Sequence, residues 1–510
     1  MSLVGKVGRK RPRARLAMGF LYALLLVGAV TTLYPFLMML TTGFKGPTDQ
    51  NDNKLIPSFW RDDTELLAKY RDDKYAGDAS LMAASNVGAT APGEDTATYR
   101  KFLMDLPLDM WHAGFRTPSN HVTSKLNLRW QDWLKDRYPN IEALNGAFVE
   151  VNGAFQQVVP PSERFDRKVW QPTPGKKWDD WLLFKATLPA EYRIPLRSTR
   201  LYQEYLRSKF ENQFKRVPAE VAAGATKFEE LTLPSSGPLL TEFREKGLPA
   251  QFQTNSVEER WAAVSDQPMP IAADETDEVQ QRGSELRREM SGRNYRYVLD
   301  FILVNGRAVF NTAMFCLLVI LTQLTVNPLA AYALSRFPMK ATAKILLFLL
   351  ATMAFPAEVA MIPSFLLLKD LNLLNTFAAL VLPGAASGYM IFLLKGFFDS
   401  LPQEIFESGQ IDGASEWTMM LRMAFPLSKP VLGYLALLAF MGAYGSFMYA
   451  FLVAQDRDMW TLMVFIYQLQ QTAPKAVMMA AITLAALPTL IVFLFAQRVI
   501  MRGIVLPGER

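Results

Sequence analysis

The sequence predicts an all-α, polytopic membrane protein with six transmembrane helices and one large, mainly helical inserted domain. Half of the 510 residues are hydrophobic, and residues 46–297 hold 37 of the 48 acidic and 34 of the 54 basic residues. Outside that range, six apolar segments each reach the roughly 20 residues that cross a bilayer as a helix. Within it, aromatic residues recur at helical spacing, which indicates a helical domain.

The first apolar segment, residues 16–42, is predicted to be a transmembrane helix whose N-terminus lies in the cytoplasm. It follows a basic stretch, residues 1–15, and basic residues beside a span favour the cytoplasmic side. A cleaved signal peptide is the alternative, but the apolar run is too long and ends without a clear small-residue cleavage site. The basic residues are Lys6, Arg9, Lys10, Arg11, Arg13 and Arg15.

Five further apolar segments and the basic residues between them predict the topology. Basic groups follow the second, fourth and sixth segments, so all three face the cytoplasm if the chain crosses six times. Both termini are therefore expected inside and residues 46–297 outside. The five segments are Val309–Leu334, Ile345–Leu368, Thr376–Leu394, Val431–Val453 and Ala476–Gln497, and the basic residues are Arg336, Lys340, Lys344, Lys395, Arg422, Lys429, Arg498 and Arg502.

The segment 46–297 is long enough to form a core of its own. An aromatic-x-x-aromatic-Leu pattern occurs in it four times, starting at Tyr99, Trp130, Trp178 and Tyr202. These positions share one face of a helix, so we expect several short helices packed by aromatic stripes. Because aromatic rings also stack on sugars, a glycan-binding surface is the alternative.

Cysteine, histidine and acidic residues predict no metal or redox chemistry. Cys316 is the single cysteine and lies in the second apolar segment, so it has no internal disulfide partner. His112 and His121 are nine residues apart in a predicted loop. The acidic run Asp274–Glu278 is interpreted as a solvated linker back to the membrane. We therefore expect no metal, no cofactor bound by this chain and no nucleic-acid partner.

Polar residues inside the apolar segments are the candidates for a substrate path, because polar groups are costly to bury in lipid. The alternative is that they form hydrogen bonds between neighbouring helices. Two proline positions, Asn327-Pro328 and Pro356, are expected to mark kinks. The substrate-path candidates are Gln323, Asn327, Glu358, Tyr444, Ser446 and Tyr449.

A polar segment, residues 401–426, separates the fourth and fifth apolar segments and is predicted to form two short helices joined at a glycine. Ser400 is expected to cap the first helix, with Pro402 in its first turn and Gln403 completing a capping box. The basic residues around the segment place it in the cytoplasm.

The same segment contains signals for the turn and for the second helix. Gly413 can adopt the left-handed conformation that ends a helix. Ser415 is expected to cap the second helix, and Pro426 to end it. Two short helices on the face of a membrane protein form a surface suited to binding another protein.

The spacing of Glu407-Ser408-Gly409, Asp412-Gly413-Ala414 and Phe425-Pro426 resembles the EAA loop of ABC importer permeases, and the maltose-type second permease subunit of the carbohydrate-uptake branch most closely. Ser408 and Gly409 stand where that family has two alanines. The resemblance extends through residues 298–505, and it implies a type I importer permease core over 298–500 with a coupling loop over 398–429. Its further segments are Ala330–Phe337, Pro356–Glu358, Met361–Pro363, Leu371–Asn375 and Phe392–Phe398.

This resemblance implies a heteromeric importer of the bacterial inner membrane that takes up a carbohydrate-type solute. Its other parts would be a second permease subunit, a cytoplasmic ATPase dimer and an extracytoplasmic solute-binding protein. The tail 501–510 is expected to add a second ATPase contact. The residues implied in coupling to the ATPase are Glu404, Glu407, Ser408, Gly409, Asp412, Gly413, Ala414 and Pro426.

The chain itself is not expected to be an enzyme. It lacks the G-x-x-x-x-G-K-[ST] sequence whose backbone amides hold phosphates, so ATP and Mg are expected in the partner ATPase. One alternative is a membrane-anchored glycan-binding or glycan-processing protein that acts through residues 46–297. Another is a secondary transporter, which would show an inverted repeat. The coupling loop has no evident role in either.

Overall fold

The structure is a computed structural model that describes residues 12–46, 49–78, 81–82, 96–116, 124–222, 224–300, 302, 307–337, 339–471 and 473–503. His121, most of the basic N-terminal stretch and residues 504–510 of the tail lie outside these ranges. The chain divides into two compact units. The first contains residues 1–297 and Ala473–Ala480, and the second contains the remainder.

The first unit begins with a long apolar helix and continues as a mainly helical domain. Helix α1 (Pro12–Thr42) is exposed along most of its length and is apolar enough to cross a membrane. The helices that follow are α2 (Asp63–Tyr75), α3 (Thr96–Asp105), α4 (Lys125–Arg137), α5 (Ile141–Phe148), α6 (Lys176–Ala186), α7 (Ser198–Lys209), α8 (Ala219–Ala222), α9 (Pro238–Glu242), α10 (Val257–Ala262) and α11 (Ile271–Leu299).

Short elements connect these helices. Strands β1 (Trp111–Ala113) and β2 (Arg193–Pro195) pair antiparallel, with His112 opposite Ile194. His112 therefore lies in a strand and not in a loop as predicted. The single-turn segments are Ser58–Trp60, Phe155–Gln157, Ala190–Tyr192, Phe214–Arg216, Phe228–Glu230, Phe243–Gly247 and Ala250–Phe252.

Aromatic side chains form the core of this domain, as the repeated pattern predicted. Trp130 and Trp181 are fully buried, and their rings meet edge to face at 5.6 Å between centroids. Tyr99 and Tyr202, from the other two repeats, are also buried. Four helices thus contribute an apolar stripe each, and burial of such large rings is a major stabilising term. The buried rings are not available to stack on a glycan.

The acidic run near the end of the inserted segment is not a solvated linker, and that prediction was wrong. It lies in the first turns of α11, where Glu275 is fully buried and pairs with Arg71 at 2.8 Å. Asp274 and Glu278 pair with Arg100 at 2.5 and 3.0 Å. Basic residues of α2 and α3, far away in sequence, neutralise the acids, and this allows them to be buried.

The ends of the inserted segment are joined by hydrogen bonds within the first unit. The Asn294 amide donates to the carbonyl oxygens of Gly43 and Lys45 at 3.0 and 2.7 Å. Gln50 accepts a hydrogen bond from the Ala476 backbone N–H at 3.1 Å. The end of α11, the residues after α1 and the start of the last helix are therefore held together.

The second unit contains one complete long helix, most of a second one and several broken helices. Its helices are α12 (Ala308–Arg336), α13 (Thr342–Met353), α14 (Ala357–Asp370), α15 (Phe377–Val381), α16 (Gly388–Asp399), α17 (Gln403–Ile411), α18 (Glu416–Met419), α19 (Phe425–Leu427), α20 (Lys429–Tyr444), α21 (Met448–Val453), α22 (Leu462–Gln470) and most of α23 (Lys475–Gly503). Single turns occur at Leu382–Gly384, Met420–Ala424 and Arg457–Met459.

Within the described residues, three helices are long and apolar enough to cross a membrane, or up to six spans exist if each bent pair counts as one. The third and fourth predicted spans are each split in two: α13 meets α14 at 99°, and the segment Phe377–Gly384 meets α16 at 51°. Pro356 stands at the first break, as predicted, whereas α12 continues through Pro328. The fifth predicted span is interrupted after Tyr444.

Two packing details explain this arrangement. A Cβ atom on Gly388 would lie 2.5 Å from the carbonyl oxygen of Leu349, so glycine permits the close contact of α16 with α13. Asn311 of α12 donates to the carbonyl oxygens of Asp458 and Trp460 at 2.7 and 3.0 Å, which holds the loop before α22. Helix α22 was not predicted, because a helix of nine residues is too short to span a bilayer.

Candidate functional site: the coupling loop and an intramembrane cavity

The first helix of the coupling loop begins two residues later than the sequence indicated. Pro402 is the N-cap of α17, and Ser400 ends α16, where its hydroxyl donates to the Phe397 carbonyl at 2.7 Å. The predicted capping box is therefore wrong. Ser400 has helical backbone angles, whereas an N-cap residue needs an extended conformation.

The turn after α17 confirms the predicted role of Gly413. Its φ is +76°, and its N–H bonds to the Gln410 carbonyl at 3.0 Å. The N–H of Ala414 bonds to the Gly409 carbonyl at 2.9 Å. These two bonds form a Schellman motif, in which glycine accepts a left-handed conformation that strains other residues.

The second helix starts at its predicted cap and ends one residue after its predicted end. The Ser415 hydroxyl accepts from the Thr418 N–H at 3.3 Å. The helical path then runs through Pro426 to Leu427, and α20 follows at an angle of 81°. At the bend, the Ser428 hydroxyl donates to the Ala424 carbonyl at 2.6 Å.

Gly409 lets the two helices of the loop approach each other. It is buried, and a Cβ atom there would lie 2.9 Å from the terminal methyl of Met423 and 3.4 Å from Met419. The absence of a side chain therefore makes room for the methionines of the second helix. This contact gives a packing reason for glycine in place of alanine at position 409.

Helix α12 contacts both halves of the coupling loop at its C-terminal end. The Tyr332 hydroxyl donates to Glu416 at 3.1 Å, and Ser335 donates to Asp399 at 2.7 Å. The Arg336 guanidinium lies 3.5 Å from the ring centroid of Phe406, which is a close cation–π contact with a buried residue of α17. These contacts attach the loop to one rigid helix.

The remaining coupling candidates form the exposed face of the loop. Glu404, Glu407, Ser408, Asp412, Gly413 and Pro426 are exposed, Ala414 is half-buried, and Gly409 lies behind them. Three large apolar side chains share this exposure: Ile411 at 86%, Trp417 at 62% and Leu421 at 54%. Sequence reasoning missed these three and Tyr332. Apolar residues within an otherwise polar segment were the available signal for the first group.

A cavity of about 350 Å³ lies among the helices of the second unit and brings together three of the six substrate-path candidates. Gln323, Ser446 and Tyr449 line it, next to Ser364 of α14. The Gln323 amide donates to the Gly384 carbonyl at 2.8 Å, and its side-chain oxygen is buried without a hydrogen-bond partner among the described residues. Every side chain assigned to the cavity wall is uncharged.

The other three candidates are placed elsewhere. Asn327 is fully buried; its amide donates to the Gln323 carbonyl, and its oxygen accepts from the Ser387 N–H at 2.8 Å. Tyr444 donates to the Ala485 carbonyl at 2.6 Å. Glu358 lies exposed in the first turn of α14. Asn327 and Tyr444 thus form hydrogen bonds with backbone groups. Asn327 bonds the start of α16, and Tyr444 bonds another helix.

Comparison with known proteins identifies the membrane-spanning part of the chain. The profile of the family described as binding-protein-dependent transport system inner membrane component matches residues 290–505. Protein LplC of Bacillus subtilis (strain 168) is 31% identical over 231 residues, which cover 42% of this chain and 76% of LplC. The sn-glycerol-3-phosphate transport system permease protein UgpE of Yersinia pestis bv. Antiqua (strain Antiqua) is 32% identical over 206 residues, covering 39% and 73%.

One solved structure is also similar, but the similarity is too weak to support a conclusion about the fold. It is the crystal structure of a bacterial ABC transporter involved in the import of the acidic polysaccharide alginate, with 24% identity, a TM-score of 0.37 and coverage of 40% of this chain and 78% of that one. The sequence relatives confirm the resemblance to importer permeases that the loop motif predicted. The chain belongs to the family of binding-protein-dependent transport system inner membrane components.

Proposed function

We propose that this permease subunit lines, together with a second permease, the path of a carbohydrate-type solute, and that a cytoplasmic ATPase dimer drives it through the coupling loop. One observation carries the proposal: α12 bears both Tyr332, which bonds the loop, and Gln323, which lines the cavity. Nine residues separate them, or about 13 Å along a helix. A displacement of the loop is therefore transmitted to the cavity wall.

The mechanism follows from this connection. ATPase closure displaces the exposed face of the coupling loop, which carries acids at positions 404, 407 and 412 as well as Ile411 and Trp417. Because Arg336 and Tyr332 attach the loop to α12, that helix moves with it. The cavity then alternates in access between the two sides of the membrane. ATP hydrolysis takes place in the partner.

The cavity chemistry favours an uncharged, hydroxyl-bearing solute. Its polar groups are the amide of Gln323 and the hydroxyls of Ser364, Ser446 and Tyr449, set in an otherwise apolar wall. A few fixed polar groups in an apolar site provide orientation and specificity for a small ligand. A sugar or polyol satisfies such groups without leaving a buried charge unpaired.

The membrane arrangement is also part of the proposal. Six crossings, with both termini in the cytoplasm and residues 46–297 outside, agree with the basic residues after the second, fourth and sixth apolar segments. The coupling loop then faces the ATPase, and the inserted domain faces an extracytoplasmic solute-binding protein.

The direct test is to purify the chain with its partners and measure transport. We expect an ATPase and a second permease to copurify with the chain. Uptake into vesicles should require the solute-binding protein, together with ATP on the side of the membrane that corresponds to the cytoplasm. Calorimetry on the binding protein would identify the solute. Uptake driven by an ion gradient without an ATPase would overturn the proposal.

A further inference from the structure

Two neighbouring cavities in the inserted domain share part of their walls and form one groove. Their volumes are about 810 and about 270 Å³. Ala76, Asp78, Arg164 and Arg200 line both. We call this continuous surface the arginine groove. It belongs to the first unit and is separate from the intramembrane cavity and from the coupling loop.

Basic side chains predominate in the groove. Of its described lining residues, six are basic and four are acidic. The basic residues are Lys74, Arg116, Arg164, Arg167, Arg200 and Arg207, and the acidic residues are Asp78, Glu163, Glu211 and Glu229. This excess distinguishes the groove from the intramembrane cavity, whose assigned lining residues are uncharged.

The acids of the groove are already bound to groups of the protein. Glu163 is buried and accepts hydrogen bonds from Lys185 at 2.7 Å and Trp181 at 2.9 Å. Arg200, which is 4% exposed, lies 3.2 Å from Asp78 and also pairs with Asp166 and Glu204 beneath the wall. Such buried pairing holds the wall in one geometry before a ligand arrives.

At the junction of the two cavities, two guanidinium groups and one imidazole have nitrogen atoms that make no hydrogen bond. Arg164 is exposed and makes no hydrogen bond or ion pair with its side chain in the described part of the chain. Nη1 of Arg116 donates to the Pro161 carbonyl at 2.8 Å, but its buried Nη2 makes no hydrogen bond and lies 3.6 Å from Glu163. The buried Nε2 of His112 also makes no hydrogen bond there, and it lies 3.9 Å from a carboxylate oxygen of Asp166.

Electrostatics at this junction favour an added negative charge. Burial lowers the pKa of Arg116, and the nearby positive charge of Arg164 lowers it further against the effect of Glu163. Two guanidinium groups that face one cavity repel each other unless an anion lies between them. Guanidinium groups also match the geometry of carboxylate and phosphate oxygens and bind them through paired hydrogen bonds.

We propose that the arginine groove binds a small solute through an anionic group, a carboxylate or a phosphate, with Arg164 and Arg116 as its principal contacts. His112 offers a further hydrogen bond from the wall of the smaller cavity. The larger cavity, lined by Arg167, Arg207 and Asn212, accommodates the polar remainder of the solute. This site goes beyond the proposed function and does not rest on it, because all of its lining residues belong to the first unit.

Calorimetric titration of the full chain in detergent, at low salt, tests the proposal. The probes are inorganic phosphate, galacturonate and the neutral sugar galactose. We expect at least one anion to bind, galactose to bind more weakly, and Arg164→Gln to weaken the anion by tenfold or more. The matched control is Lys135→Gln, which removes a charge from an exposed residue that lines neither cavity. It should leave binding unchanged.

Each outcome of this experiment decides a point. Binding of phosphate alone supports a phosphorylated solute, and binding of galacturonate supports a carboxylated sugar. The proposal is overturned if neither anion binds, if galactose binds as tightly as galacturonate, or if Lys135→Gln weakens binding as much as Arg164→Gln. Arg164 is exposed, so its variant should keep the wild-type unfolding temperature, and Arg167→Gln provides an independent second variant.

Discussion

The phenolic hydroxyl of Tyr332 donates a hydrogen bond to the carboxylate of Glu416 at 3.1 Å, across 84 residues of sequence. Tyr332 lies one turn before the end of α12, and Glu416 is the first residue of the second helix of the coupling loop. This bond joins the helix that lines the cavity to the coupling loop. Loss of this hydrogen bond is expected to weaken the connection between the coupling loop and α12, while the ring of Tyr332 still packs against Phe398.

Replacing Tyr332 with Phe should therefore reduce ATP-driven uptake several-fold. A hydrogen bond of this kind contributes about 1 kcal/mol, and the ring packing remains. The measurement is the initial uptake rate together with the amount of copurified ATPase, which should not change. Tyr22→Phe, on an exposed tyrosine of α1, is the control. Equal uptake by Tyr332→Phe and the wild type would exclude a role for this bond in coupling.

Reversal of charge at Glu407 should abolish uptake and leave membrane assembly intact. Glu407 is exposed on α17, so Glu407→Arg changes the exposed surface of the coupling loop and disturbs no internal packing. Uptake and copurification of the second permease are the two measurements. Glu142→Arg places the same change on an exposed residue of the inserted domain. Normal transport by the Glu407 variant would remove it from the coupling surface.

The two glycines of the loop should respond differently to alanine. Gly413→Ala places a side chain at a φ of +76°, which costs roughly 1 kcal/mol or more, although no atom lies within 4 Å of the new Cβ. Gly409→Ala requires only that the flexible end of Met423 moves, and the helix gains up to about 1 kcal/mol in propensity. The unfolding temperature and the uptake rate should fall for Gly413→Ala and change little for Gly409→Ala. The reverse order would contradict the turn geometry.

Acid should destabilise the inserted domain between pH 6.5 and 4. Burial lowers the pKa of His112 to about 4, so the unfolded chain binds a proton in this range and the folded chain does not. Stability is complete above pH 6.5 and falls by up to about 3 kcal/mol as the pH reaches 4. The measurement is the unfolding temperature of the full chain against pH. His112→Gln should flatten this part of the curve, and an unchanged slope would contradict the assignment.

Protonation of Glu163 should cause a second loss of folding stability, at lower pH. Burial by itself would raise the pKa of Glu163, but the charges of Lys185 and Arg116 outweigh it and lower the pKa to about 2. Because the folded pKa lies below the unfolded value, its contribution is complete above about pH 4.5 and disappears as the pH falls toward 2. The His112→Gln variant should still show this second loss of stability at low pH.

Relief of backbone strain at Val149 should stabilise the inserted domain. Val149 ends α5 with a φ of +56° and is 92% exposed, so this β-branched residue has no packing reason to occupy a left-handed position. Val149→Asn should add about 1 kcal/mol to the free energy of unfolding, because asparagine accepts this conformation. Chemical denaturation followed by tryptophan fluorescence measures it. Val151→Asn, fully exposed and not left-handed, should have no such effect.

Local signals in the sequence predicted the coupling loop well. Gly413 ends its helix and Ser415 caps the next one, because both roles depend on a few neighbouring backbone atoms. The capping box at Ser400 failed because α16 extends through Asp399 and leaves Ser400 at its own C-terminus. Pro402, which has no N–H to satisfy, took the N-cap position.

Other predictions failed because the outcome depended on partners far away in the sequence. The acids of α11 have a linker-like local sequence, and only Arg71 and Arg100 of other helices make their burial possible. Pro356 predicted the break before α14, but the break before α16 was not predicted, since mean hydropathy over a span is the same for a straight and a bent helix. Ile411 and Trp417 became surface residues only once the loop had folded.

The sequence by itself determined the membrane segments, the helical character of the inserted domain and the coupling motif, because hydrophobic length, period and turn chemistry are properties of neighbouring residues. The tertiary structure alone decided that Gln323, Ser446 and Tyr449 share one cavity, and that Arg164 and Arg116 face one groove. These groupings arise from packing between residues far apart in the chain, and no local pattern records which side chains will meet.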